Sequence, residues 1–144
     1  MDLAEVRGMF DKDAQVCMAI GGWGDTIGFG KGATDDKTRK LYAKNVAAEV
    51  ERLGYDCVDV DWEYPGGNGE DYKVITNDKK TSEIKTYPLL LAEIKKAIHP
   101  KELSIAVPGL KRDMMAYDAE QVKKINRAVD FVNVSHRYPT SPPS

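Results

Sequence analysis

Short apolar runs alternate along this chain with stretches whose apolar residues recur every three or four positions, a pattern that predicts strands and helices in turn. Residues 3–10 read as a short helix, and residues 15–22 as an apolar strand ending in glycines. Tyr42, Val46, Val50 and Leu53 then mark one face of a helix over residues 36–53. Thr34, Asp35 and Asp36 supply its capping groups, and Gly54 stands where a left-handed C-terminal cap is expected. A strand over residues 55–65 follows at once. Pro88 falls near the first turn of a helix running to Ile98, with Leu91, Ile94 and Ile98 on one face. Residues 103–107 read as a strand, 119–128 as a helix and 131–134 as a last strand. The Gly-rich residues 24–32 and the polar residues 66–86 read as loops. Four strands with helical crossovers imply a parallel sheet.

Within the strand over residues 55–65 the polar positions are all acidic. Side chains two apart on a strand share a face, so Asp59, Asp61 and Glu63 line one side, and Val58, Val60 and Trp62 face a helical layer on the other. Asp56 breaks the parity and reads as a strand-entry, hydrogen-bonding residue. Carboxylates about 6.5–7 Å apart in a shielded row cannot all ionise freely, so at least one is expected to hold a proton near neutral pH. Glu63, nearest the strand's C-terminal end, is the candidate general acid. Asp-x-Asp-x-Glu can also supply oxygen ligands to a hard cation. No second acidic cluster, phosphate loop or paired histidine set accompanies it, so no metal and no cofactor are expected.

The 144 residues carry a formal charge of −2 and are 42% hydrophobic, enough for one ordinary domain. That charge balance offers no electrostatic footprint for nucleic acid. No apolar run approaches the ~20 residues of a membrane span. The first residues lack the basic-then-apolar pattern of a secretory leader. Cys17 and Cys57 read as small buried apolar side chains and not as a disulfide framework.

Asp56-x-x-Asp59-x-Asp61-x-Glu63, continued by Tyr64-Pro65, resembles the signature of the family 18 glycoside hydrolases, the chitinases and their relatives, in a fungal-type wording. Ala19-Ile20-Gly21-Gly22-Trp23 resembles that family's third barrel strand. Residues 103–108 resemble its fifth, and residues 129–134 the start of its sixth. The resemblance implies an incomplete α/β fold of (β/α)8 TIM-barrel type, with about four parallel strands and flanking helices, where a whole barrel takes ~250 residues. Residues 1–134 would be a partial catalytic domain. Residues 135–144, with Arg137 and Tyr138 where the family has Tyr and Asp, would be an atypical Pro/Ser-rich, disordered tail.

By the same resemblance the chain would hydrolyse β-1,4 linkages between N-acetylglucosamine units of chitin or chitooligosaccharides, with retention. Glu63 would be the general acid and base, Asp61 the partner of the acetamido group, and Asp59 its proton-sharing support. Trp23 and Tyr64, each at a strand's C-terminal end, are candidates for substrate contact. Competing readings are a lectin-like protein that binds chitin without turnover, against which Glu63 argues, and a truncated product without function. Exposed sheet edges would favour self-association. An extracellular place is implied for a full-length relative.

Overall fold

A computed structural model of the chain describes residues 2–135. Four strands, β1 (Cys17–Gly21), β2 (Cys57–Asp61), β3 (Glu102–Pro108) and β4 (Phe131–Ser135), form one all-parallel sheet in chain order. A short α1 (Leu3–Arg7) precedes β1. The crossovers carry α2 (Gly28–Ala33) with α3 (Asp36–Leu53), α4 (Thr81–Ile98) and α5 (Ala119–Ala128). Among the described residues no helix is long and apolar enough to cross a membrane.

The helices cover one face only. Val58, Val60, Leu103 and Ile105 point into that side and are fully buried against Val50, Leu90, Leu91 and Ile94. The opposite face, carrying Ala19, Asp59 and Asn133, is left more open. α3 matches its expected bounds: Asp35 accepts from the Thr38 amide at 2.8 Å in a capping box, and Gly54 closes the helix with a φ of 79°. Its stripe is narrower than expected, since Val46 and Val50 are buried but Leu53 is exposed at the end of the helix. Asp56 is the strand-entry ligand it was expected to be. It accepts from the Val16 amide at 2.9 Å and pairs with Arg7 at 2.6 Å, and the Arg7 contact, ahead of the Val16 bond, holds its carboxyl below the usual range.

Four expectations are corrected. The Gly-rich residues 24–32 are not plain loop, because Asp25 accepts from the Gly28 amide at 2.7 Å and Phe29 is buried, which nucleates α2. α4 begins at Thr81, so Pro88 lies inside it and the preceding loop is shorter than expected. A mid-helix proline forfeits a backbone bond at about 3 kcal/mol; full burial of Tyr87, Leu90 and Leu91 around it offsets that loss. β4 includes Ser135, which accepts from the Gly109 amide at 2.8 Å. The expectations for Arg137, Tyr138 and the rest of the tail lie outside the described residues.

The fourth correction concerns the cysteines, which form a disulfide. Parallel register sets Cys17 directly beside Cys57, with Cα atoms 4.3 Å apart. Hydrophobicity alone predicts burial for each cysteine; only the strand pairing brings the two together. A link across 40 residues restricts the unfolded chain, an effect of about 2–4 kcal/mol.

Candidate active site

The site is built from the C-terminal end of β2 outward. Asp59 and Asp61 project to the open face, in register with Ala19 and Gly21 of β1. β2 ends at Asp61, so Glu63 leaves the strand and opens the following loop. It stays close enough to Asp61 for their charges to interact. Burial, then the charges of Glu63 and Asp59, raise the Asp61 carboxyl above its ordinary range. Within the row the raised carboxyl is that of Asp61, which sits between the other two.

Asp59 is held by two residues that sequence reasoning missed. Ser104 Oγ of β3 and Asn133 Nδ2 of β4 both donate to Asp59 Oδ1, the latter at 2.9 Å. Both are polar residues at alternate positions of apolar strands, which was the available signal; their convergence on Asp59 needs the register of three strands. Tyr117 is a third omission. Burial, with smaller effects from Asp61 and Tyr64, pushes its phenol up to about 12, and its hydroxyl lies 3.4 Å from that of Tyr87.

Trp23 and Tyr64, predicted separately, are brought together at the ends of neighbouring strands. Their rings meet edge to face with centroids 6.3 Å apart. Beneath the carboxylates runs an aromatic row. Trp62 stacks on Phe29 at 5.3 Å and meets Tyr87 edge-on at 5.5 Å, and Tyr87 meets Tyr117 at 6.0 Å. This wall underlies the turn from Asp61 to Glu63. Among the described residues no group of three or more His, Cys, Asp or Glu side chains is arranged to hold a metal ion.

The raised Asp61 affinity has a testable sign. The folded state holds this proton more tightly than the unfolded chain, so there is no penalty below the ordinary Asp range near pH ~3.9. Stability is lost as pH rises through the folded-state titration. Asp61→Asn is therefore expected to stabilise the fold at pH 7.5 and to do so much less at pH 3.5. Paired urea titrations measure this, and an equal effect at both pH values would contradict it.

The model for the glycosyl hydrolases family 18 matches residues 1–138. The chain is 31% identical over 125 residues to the sporulation-specific chitinase 2 of Saccharomyces cerevisiae, covering 86% of this chain and 24% of that protein. It is 31% identical over 115 residues to chitinase 2 of Yersinia entomophaga, covering 74% and 18%. Among solved structures, the chitinase domain of the spore coat protein CotE from Clostridium difficile superposes with a TM-score of 0.73 at 28% identity, over 92% of this chain and 36% of that one. The chain thus spans about a quarter or less of the length of these two curated relatives.

Proposed function

The chain belongs to the glycosyl hydrolases family 18, and from that premise we propose that its β2 end carries the carboxylate centre of a chitinase, hydrolysing β-1,4 links between N-acetylglucosamine units with retention. The observation that carries the reading is the row Asp59, Asp61, Glu63 at one strand end, with Asp59 pinned by Ser104 of β3 and Asn133 of β4, and the Asp61 carboxyl raised by burial and by the charges of Glu63 and Asp59.

Glu63 gives its proton to the glycosidic oxygen as the bond to the anomeric carbon breaks. The substrate's own acetamido oxygen forms the new bond to that carbon, so no protein nucleophile is needed. Asp61 orients the acetamido group and stabilises the positive charge that develops on it. Asp59 supports Asp61 by sharing a proton with it. Water then attacks the anomeric carbon from the side the leaving group vacated, breaking the bond to the acetamido oxygen and giving a proton to Glu63, and the two displacements restore the starting configuration. The paired rings of Trp23 and Tyr64 offer an apolar face for a pyranose. The Cys17–Cys57 disulfide supports an extracellular place, where such bonds persist.

The deciding experiment follows a chitooligosaccharide by proton NMR in the presence of the folded chain. New β-anomeric reducing ends, formed before mutarotation, are expected. Initial α-product would overturn the retaining mechanism, and binding without product would leave a lectin-like role in its place.

A further inference from the structure

Resting on the role of Glu63 above, we propose that Glu83 is a positioning residue for Glu63, acting through the backbone of Gly66. Glu83 lies in the first turn of α4, 17 residues beyond Gly66 in sequence, and its Oε2 accepts from the Gly66 amide at 3.0 Å. Its other oxygen lies beside α2, where a Cβ on Gly30 would be 3.0 Å from Oε1. One half-buried carboxylate thus joins α4 to the loop that starts at Glu63, beside α2.

That loop has little freedom to absorb a change at Gly66. Pro65 is fully buried, and Gly66, Gly67 and Asn68 all have positive φ, at 95°, 134° and 63°. The Gly67 amide donates to the Tyr64 carbonyl at 3.1 Å. At Gly69 a Cβ would lie 2.7 Å from the Glu63 carbonyl oxygen, so the loop folds back onto the residue it presents. Its far side is pinned by Asn68 and Asn77, which exchange two hydrogen bonds of 2.9 Å, and by the Arg112 carbonyl, which accepts from Asn68 Nδ2 at 2.9 Å. With Asn68 fixed, the Gly66 amide is a further anchor between it and Glu63, and its acceptor is Glu83.

The setting of Glu83 is not that of an incidental surface acid. Burial, with the charge of Asp71, raises its carboxyl, while the Gly66 amide and Lys80 oppose the rise. Lys80 is itself engaged by Asp71 at 2.5 Å, both side chains being only 11% exposed. An ionised acceptor makes the stronger bond to an amide, so the anchor on Gly66 tightens as Glu83 loses its proton.

The test uses the full chain with Glu83→Ala and Glu83→Gln. In the native protein the Gly66 amide shift is expected to follow the titration of Glu83. Glu83→Gln keeps an acceptor but abolishes that titration. Glu83→Ala is expected to speed Gly66 amide exchange by about tenfold and to move the carbon resonance of the Glu63 side-chain carboxyl, a readout that needs no turnover. On a fluorogenic chitooligosaccharide, Glu83→Ala should lower kcat by about ten- to a hundredfold with KM within about twofold, and Gln should recover most of the loss, since small misplacements at a reacting group have effects of that size. An unchanged Glu63 carboxyl resonance in folded Glu83→Ala overturns the proposal, as does a loss that Gln does not rescue. A native protein without turnover, but with Glu63 responding to Glu83, would overturn the hydrolase reading and leave this one standing.

Discussion

Glu63→Gln is expected to lower kcat on a chitooligosaccharide by about 10²–10⁴-fold, with KM changed only a few-fold. The substitution keeps the size and the hydrogen-bonding atoms of the side chain but removes the proton that the leaving oxygen needs. The substitution leaves the paired rings of Trp23 and Tyr64 in place, so the loss should fall on the chemical step. Two signatures separate this from misfolding. A substrate whose leaving group departs as a stable phenolate needs no protonation, so the first step should largely recover on it. The Asp61 carboxyl should also titrate lower, because Glu63 is one of the charges that raise it. Activity within about tenfold of the native chain on an unactivated oligosaccharide would end the assignment of Glu63 as the acid.

Trp62→Ala is expected to destabilise the fold by about 3–5 kcal/mol, the range for emptying a buried aromatic site. Trp62 is 5% exposed and is clamped between the stacked ring of Phe29 and the edge of Tyr87, so the cavity cannot close without moving α2 or α4. A domain of this kind has roughly 5–15 kcal/mol of stability in total, and the loss is a large share of it. Urea titration followed by circular dichroism measures the change. Trp62→Phe, which keeps part of the stack, should fall between the two. A cost below about 1 kcal/mol for the Ala variant would mean that the aromatic wall does not support the site. Because Trp62 sits between Asp61 and Glu63, the folded fraction of the Ala variant should also show a changed Asp61 titration.

Local signals in the sequence were sufficient for most elements. The helix Asp36–Leu53 was bounded correctly because an N-terminal acidic cap and a C-terminal glycine act within a turn of the backbone they serve. The helix Ala119–Ala128 likewise has Asp118 accepting from the Glu120 and Gln121 amides, at 2.8 Å each. The errors fall where distant contacts override local preference. Phe29 makes a helix of a glycine-rich stretch by being buried, and Tyr87 and Leu90 keep a helix intact across Pro88.

The same division runs through the site. Strand alternation alone put Asp59 and Asp61 on one face and Trp62 among the helices, because side-chain direction along a strand repeats every two residues. The motif and its neighbours identified the family. Which residues reach those carboxylates was beyond any local pattern. Ser104 and Asn133 meet Asp59 from 45 and 74 positions away, Cys17 meets Cys57 across 40, and Glu83 meets the Gly66 amide across 17. By itself the sequence determined the order of the strands and of the longer helices, and the shared face of Asp59 and Asp61, since these depend on backbone periodicity. Only the tertiary structure decided how those acids are held, because strand register and helix packing join residues whose separation along the chain carries no signal of their contact.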